Sequence, residues 1–173
     1  MLKVFTPQDK KNERFLKSFF KGDYYLNLFL ETKRVREEGC LRVNDFYFLA
    51  EKKFINYSKI FVMIVEYIKG EQINTLDAPL KQKIKEAVEE LHSHNMVMGD
   101  IWDSNFILSC DKIRMIDCSG KSPNCYRKAE DRINMENRLG IPNTKKDFGY
   151  FLVVLRRVLR ERLKILKNIV LLK

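Results

Sequence analysis

Two short apolar segments, NFIL at 105–108 and IRMID at 113–117, constrain the fold of this chain more than any other feature. The four residues SCDK separate them, which predicts two strands joined in a hairpin. Three polar side chains frame the pair. Asp100 precedes Asn105 by five residues, and Asp117 follows Asn105 by twelve. The spacing therefore predicts a loop that starts at Asp100 and ends at Asn105, with Asp117 at the end of the second strand.

Asp100, Asn105 and Asp117 have the chemistry that phosphoryl transfer requires. A transferring phosphoryl group develops negative charge over several oxygens, and the protein mainly supplies positioning and cations. Mg²⁺ prefers hard oxygen ligands and keeps some waters, so one carboxylate and one amide suffice. We predict that Asn105 and Asp117 bind the metal and that Asp100 orients the attacking hydroxyl, with Gly120 allowing a sharp turn afterwards. The alternative is that all are ordinary turn and cap residues.

The remaining periodicity predicts an α+β fold in which a sheet-bearing front half precedes a mainly helical back half. Gly39 should end the second of two front helices, Pro79 lies in the first turn of a helix reaching about Ser93, and Gly140 should close another. The expected elements are a strand at 2–5, two helices within 9–38 broken near Gly22, strands at 45–52 and 59–67, a turn at 68–70, helices at 79–93 and 126–139, and a last helix from about Asp147.

Composition limits the class of protein. The 173 residues, 45% of them hydrophobic, are enough for one domain with a core. Four cysteines without a CxxC pair indicate free thiols in a reducing cytoplasm, and two histidines make a zinc site improbable. The net charge of +10 predicts attraction to phosphates, an acidic membrane surface or nucleic acid, and cannot choose among them.

The string MGDIWDSN followed by IDCSG resembles the catalytic loop and magnesium-binding segment of the protein-kinase-like fold. The resemblance implies two lobes, a reduced N-terminal sheet at 1–67 and a mainly helical C-terminal lobe at 68–173. Lys3 in LKVF then looks like the strand lysine that holds the ATP phosphates, and Glu31 like its helix partner, although Glu37 and Glu38 share that helix. VEYIKG at 65–70 is similar to the hinge, where the backbone of Glu66 and Ile68 would meet adenine.

The chain departs from protein kinases at several places. Met98 stands where they have histidine, Trp102 where they have lysine, and Cys118 replaces the phenylalanine of DFG. Trp102 could stack on a sugar ring or fill the gap left by the missing basic residue. The literal DFG at 147–149 lies too far from Asn105 to share its metal. Asp147 is therefore expected to cap a helix and to brace the catalytic loop.

Longer strings, FKGDYY, NDFYFLAEKK, GDxxxxNF, SGK and RKAxDRxxMExxLGI, together resemble the lipopolysaccharide core heptose(II) kinases of Gram-negative bacteria. The resemblance implies transfer of the ATP γ-phosphate to the second heptose of the inner core, with Mg²⁺, at the cytoplasmic face of the inner membrane. Only Met1 and Leu2 precede Lys3, so we expect the phosphate-covering hairpin to be missing. An inactive, truncated pseudokinase that binds lipid or a partner is the alternative.

The last helix has an apolar stripe that includes Phe148, Phe151, Leu155, Leu159 and Leu163, beside the basic residues Arg156, Arg160, Lys164 and Lys167. We expect its first half to face the core and its distal part to contact anionic lipid or the acceptor. A nucleic-acid-binding module would explain the charge but not the carboxylate spacing, so no nucleic-acid partner is expected. An antibiotic-modifying phosphotransferase would share the loop chemistry but not the longer strings.

Overall fold

An α+β fold is confirmed within residues 1–5, 24–55, 57–73 and 75–171, which are the part of the chain described by the computed structural model. The predicted helix between residues 9 and 22 lies outside these ranges. In chain order the elements are β1 Leu2–Phe5, α1 Tyr24–Glu37, β2 Phe46–Phe54, β3 Tyr57–Val65, β4 Glu71–Gln72, α2 Ala78–Ser93, β5 Phe106–Ser109, β6 Lys112–Met115, α3 Cys125–Leu139 and α4 Phe148–Leu171.

The first sheet is antiparallel, with the strand order β1-β3-β2. Lys3 lies opposite Met63 in β3, and the first residue is tied to the end of the same strand. The terminal amino group of Met1 donates to the Val65 carbonyl at 2.6 Å, and the Val65 N–H donates back to Met1. Helix α1 packs on this sheet through Tyr25, whose ring centroid lies 3.9 Å from that of Phe61. Lys3 is thereby held in the sheet by its neighbours.

The predicted hairpin is confirmed as β5 and β6, which pair in antiparallel register from Phe106–Met115 to Ser109–Lys112. The turn uses Cys110 and Asp111, both with positive φ, as two-residue hairpin turns require. Sequence patterning missed β4, a two-residue strand that pairs with β5 just after the predicted turn at 68–70. The segment after α1 also joins this sheet, because the N–H of Met115 donates to the Arg42 carbonyl.

Helix ends follow the local sequence. Gly39 has φ +96° just after α1, and Gly140 has φ +61° at the end of α3, both in the region where glycine lacks the penalty of a side chain. The Asp77 carboxylate accepts the Leu80 N–H at 2.9 Å at the start of α2, with Pro79 in its first turn. These predicted ends are confirmed.

Helix α4 packs differently from the prediction. Phe148, Phe151 and Leu155 in its first half are exposed, so the expectation that they face the core was wrong. Among the α4 residues up to 165, whose burial the structure describes, Gly149 and Val153 are buried, and a side chain at Gly149 would collide with Cys125 and Ala129 of α3. This close approach turns the small-residue side of α4 toward α3 and leaves the phenylalanine and leucine stripe at the surface. Within the described ranges, no helix is long and apolar enough to cross a membrane.

Candidate active site

The loop between α2 and β5 places Asp100 and Asn105 together. A short 3₁₀ turn at Asp103–Asn105 folds the chain back, with the Asn105 N–H donating to the Trp102 carbonyl at 3.0 Å. The Asn105 side-chain nitrogen donates to the Asp100 backbone carbonyl, also at 3.0 Å. The amide oxygen of Asn105 takes no part in this bond. It accepts no hydrogen bond from the described residues, so it remains available as a hard ligand.

Asp117 follows the end of β6 by two residues and lies next to the segment that contains Asn105. The N–H of Ile116 donates to the Asn105 carbonyl at 3.0 Å, so the chain leading into Asp117 is fixed against Asn105. Asp117 has φ +56° and is exposed. A carboxylate and an amide oxygen thus lie on neighbouring, hydrogen-bonded segments, and they are the donor types that Mg²⁺ prefers. This donor set fits a magnesium ion that completes its coordination with water and phosphate oxygens.

Lys3 of the first sheet contacts Asp117, which follows the last strand of the second sheet, and does not contact Glu31. Its ammonium group lies 2.6 Å from the Asp117 carboxylate. The Glu31 carboxylate instead accepts from the guanidinium of Arg34, one turn further along α1, at 2.9 Å. Partial burial opposes the charge of Arg34, but hydrogen bonds to Glu38 and Glu31 outweigh it and raise the Arg34 pKa. The expected Lys3–Glu31 pair is therefore replaced by two other ion pairs in this structure.

The segment expected to meet adenine leaves β3 at Glu66. The Glu66 N–H donates to the Asp45 carbonyl at 2.8 Å, and its carboxylate accepts from Arg114 at 2.7 Å. Among the described residues, neither the Glu66 carbonyl nor the Ile68 N–H forms a hydrogen bond. The side chain of Ile68 is buried. The segment thus offers one backbone acceptor, at Glu66, and one backbone donor two residues later, at Ile68.

The loop that leads into Asp100 is held from behind by Asp131 of α3, which sequence analysis did not select. This carboxylate is fully buried and accepts the backbone N–H groups of Met98 at 2.8 Å and Gly99 at 2.9 Å. His92 completes the set, with its Nε2 3.0 Å from the same carboxylate. Asp147, which we had expected to brace the loop, does not contact it. Only its predicted role as a cap is confirmed, through the Tyr150 N–H at 3.0 Å.

Arg138, in the last turn of α3, is the second residue that sequence analysis did not select. Its Nη1 donates to the Asp100 carboxylate at 2.9 Å and to the Ile101 carbonyl at 3.0 Å. The guanidinium carbon lies 4.0 Å from the ring centroid of Trp102, within the range of a cation–π contact. One arginine therefore contacts three consecutive residues of the loop.

Comparison with known proteins identifies the family of this chain. The family model described as "Lipopolysaccharide core biosynthesis protein (WaaY)" matches residues 1–169. A lipopolysaccharide core heptose(II) kinase WaaY of Escherichia coli is 52% identical over 173 residues, covering 97% of this chain and 74% of the relative. The heptose(II) kinase WaaY of Escherichia coli strain K12 is 46% identical over 171 residues, with the same coverage of both. The chain belongs to the WaaY family.

In this WaaY-family chain, Gly120 has a role other than the predicted turn. A side chain at Gly120 would meet the backbone of Leu28 in α1 at 2.7 to 2.8 Å, so the glycine allows α1 to pack directly on the segment after Asp117. In this region Asp117 itself has a positive φ, of +56°. The Asp117 carboxylate is thus presented by a residue in the left-handed region, and close packing against α1 follows three residues later.

The Cys118 side chain lies on the buried side of the site. The thiol is buried and donates to the Met98 sulfur at 3.8 Å. Burial, followed by the nearby Asp131 and Asp117 carboxylates, raises the Cys118 pKa far above its ordinary value. The group is therefore a neutral packing element beneath the loop and not a thiolate nucleophile.

Proposed function

We propose that this protein is an ATP-dependent kinase that transfers the γ-phosphate of ATP to a hydroxyl of the second heptose in the inner core of lipopolysaccharide. The observation that carries the proposal is the hydrogen-bonded arrangement of Asp100, Asn105 and the chain leading into Asp117. Those residues supply one carboxylate near the surface and two metal-type oxygens beside it. The relatives named as heptose(II) kinases support the choice of acceptor.

Asp100 acts on the acceptor. Its exposed carboxylate orients the heptose hydroxyl and accepts its proton as the bond from that oxygen to the γ-phosphorus forms. The bond between the γ-phosphorus and the oxygen bridging it to the β-phosphorus breaks, and the electron pair leaves with ADP. The products are ADP and a heptose phosphate, with the proton on Asp100. Asp131 contributes by fixing the loop that presents Asp100.

Asn105 and Asp117 would hold Mg²⁺, which when bound supplies positive charge against the β- and γ-phosphates. Lys3 would hold the phosphates. Its ammonium already lies at the Asp117 carboxylate, so a short movement of a flexible side chain would bring it to a phosphate oxygen. This assignment places the nucleotide phosphates between β1 and the β5–β6 hairpin.

Adenine would be recognised by the backbone between the two sheets. The Glu66 carbonyl and the Ile68 N–H can accept from and donate to its amino and ring nitrogen groups. This assignment divides the chain into a small lobe at 1–67, with the β1-β3-β2 sheet, and a larger lobe at 68–173, with the β4-β5-β6 sheet and three of the described helices. The nucleotide would then lie between the lobes of a protein-kinase-like fold.

Helix α4 would bring the protein to the cytoplasmic face of the inner membrane. Its exposed apolar residues Phe148, Phe151, Leu155, Leu159 and Leu163 form a surface stripe. Arg160 and Lys164 flank this stripe one helical turn apart. An apolar face with a basic border is the arrangement of helices that lie on anionic lipid surfaces. The acceptor is attached to such a surface, so this contact would concentrate the enzyme near it.

The direct experiment incubates the purified chain with Mg·ATP labelled at the γ-phosphate and with lipopolysaccharide whose heptoses are unphosphorylated. We expect label in the core oligosaccharide, located on the second heptose by fragmentation mass spectrometry. Label on lipid A or on another sugar would contradict the proposed acceptor. Binding of lipid without any phosphate transfer would favour the pseudokinase alternative.

A further inference from the structure

Arg138 has a position that its ion pair alone does not explain. The side chains of Arg138 and Asp100 are 31% and 62% exposed, and a solvated pair of this kind contributes little to stability. The pair is nevertheless placed at the carboxylate of the proposed catalytic base. Arg138 reaches it from α3, 38 residues further along the chain.

The guanidinium has hydrogen-bonding capacity to spare. Both of its hydrogen bonds, to Asp100 and to Ile101, use Nη1. An arginine carries five N–H donors in a planar fork, so the donors on Nε and Nη2 remain. Among the described residues they have no hydrogen-bond partner. A planar cation with unused donors beside the base is suited to a phosphate, because phosphate oxygens accept from arginine in pairs.

Trp102 fixes the plane of that fork. Stacking at 4.0 Å holds the guanidinium against one aromatic face and restricts its rotation. Protein kinases have lysine at the position of Trp102, which lies two residues after the catalytic aspartate. Here the residue is aromatic, and Arg138 of α3 places its guanidinium over the Trp102 ring. Arg138 thus supplies the positive charge that the loop itself lacks at this position.

We propose that Arg138 binds the γ-phosphate of the nucleotide and at the same time positions Asp100, with Trp102 as a stacking platform. The inference rests on the proposed kinase function, and it adds a cation that directly stabilises the transferring phosphoryl group. Arg138 would keep its Nη1 bond to the base and present Nε and Nη2 to the phosphate. Base and phosphoryl group would then be held at a fixed separation by one rigid side chain.

Nucleotide binding without acceptor tests the inference, because ATP has the γ-phosphate and ADP lacks it. We expect Arg138→Ala to weaken Mg·ATP binding about ten- to a hundredfold in isothermal titration, and to change Mg·ADP binding by less than about twofold. Arg138→Lys should fall between, since it keeps the charge but not the fork. Trp102→Ala should weaken ATP binding in the same selective way but by a smaller factor.

The matched control is Arg156→Ala. Arg156 also lies over an aromatic ring, that of Tyr126, and makes one hydrogen bond, to the Tyr126 hydroxyl, where Arg138 makes two. Tyr126 lies twelve residues before Arg138 on α3, or about 18 Å along the helix. Arg156→Ala should leave both affinities unchanged. Unchanged ADP binding in Arg138→Ala also verifies that the variant is folded.

The outcomes separate the inference from the function on which it rests. If the native chain binds Mg·ATP, but Arg138→Ala weakens ATP and ADP equally or neither, the role of Arg138 is overturned and the kinase proposal stands. If the native chain binds neither nucleotide, the proposed function fails, and the inference fails with it. A selective loss of ATP affinity in Arg138→Ala, absent from Arg156→Ala, supports the inference.

Discussion

The buried carboxylate of Asp131 accepts the backbone N–H of Met98 at 2.8 Å, two residues before Asp100. The neighbouring Gly99 N–H and the His92 ring bond to the same group. Gly99 has φ +79°, so the loop turns sharply where it is held. A carboxylate with three partners in the interior fixes this turn and so determines where Asp100 points.

Replacement of Asp131 should therefore cost far more stability than replacement of Asp147. Asp131→Ala leaves the buried Met98 N–H, the partly buried Gly99 N–H and the His92 ring without their acceptor, and we expect the free energy of unfolding to fall by about 3–5 kcal/mol. Asp147→Ala removes a helix cap and should cost about 1 kcal/mol. Urea denaturation of both variants at pH 7 measures the difference. Equal losses, or a larger loss for Asp147→Ala, would show that the loop is not supported as described.

Lys3 competes with cations for Asp117. Because its ammonium lies 2.6 Å from that carboxylate, Lys3→Met should increase the affinity for Mn²⁺ alone by up to about fivefold, measured by electron paramagnetic resonance. The same variant should weaken Mg·ATP binding, because the phosphates lose a cation. Lys33→Met, which removes the analogous pair with Asp45, should change neither. If Mn²⁺ and Mg·ATP affinities move in the same direction, the dual role of Lys3 is wrong.

Cys118 should make stability depend on alkaline pH. An unfolded cysteine loses its proton near pH 8.5, whereas the raised pKa keeps Cys118 protonated in the folded chain. Above that pH the unfolded state binds fewer protons than the folded state. The free energy of unfolding should therefore fall as pH rises, by about 1.4 kcal/mol per pH unit from this group.

Cys118→Ala provides the comparison for this pH effect, since alanine cannot titrate. Its loss of stability between pH 9 and pH 10.5 should be smaller than that of the native chain, while other titrating groups affect both proteins alike. Urea denaturation across this range gives the two slopes. Parallel slopes would mean that the thiol is not shielded from water.

Membrane contact through α4 should depend on its basic border. We expect the chain to cosediment with vesicles containing phosphatidylglycerol and not with phosphatidylcholine alone. Arg160→Glu combined with Lys164→Glu should weaken the association, since each basic residue near an anionic surface contributes about 1 kcal/mol. Lys112→Glu, an exposed change in the β5–β6 hairpin, is the control. Equal binding to both vesicle types would exclude the electrostatic part of the contact.

Local signals in the sequence predicted the elements and their ends well. Gly39, Pro79 and Gly140 act through dihedral preferences of their own backbone, so their positions could be inferred from nearest neighbours. The β5–β6 hairpin follows from two apolar segments separated by four residues. The Asn105 side chain bonds back to Asp100, five residues earlier. A contact over so short a separation can be inferred from spacing in the sequence. Such short-range features depend on few other residues.

Residues that act at a distance were missed for a physical reason. Asp131 and Arg138 contact the catalytic loop from α3, 32 to 38 residues away along the chain, and lie in a charged helix where acidic and basic residues are common. Only the apolar spacing of α3, which turns Asp131 inward beside Ala129 and Ile133, could have indicated a buried carboxylate. The buried side of α4 was predicted wrongly for the same reason, because it depends on the close approach of α3 at Gly149.

The central claim is that Asp100 is the base of a heptose kinase, and one measurement tests it most directly. Asp100→Asn keeps the size and most contacts of the side chain but cannot accept the hydroxyl proton. Asp103→Asn changes a second exposed aspartate in the same loop and is the matched control. We predict that phosphate transfer to the heptose falls about 10²- to 10⁴-fold in Asp100→Asn and stays near the native rate in Asp103→Asn. Native transfer by a folded Asp100→Asn variant would contradict the account.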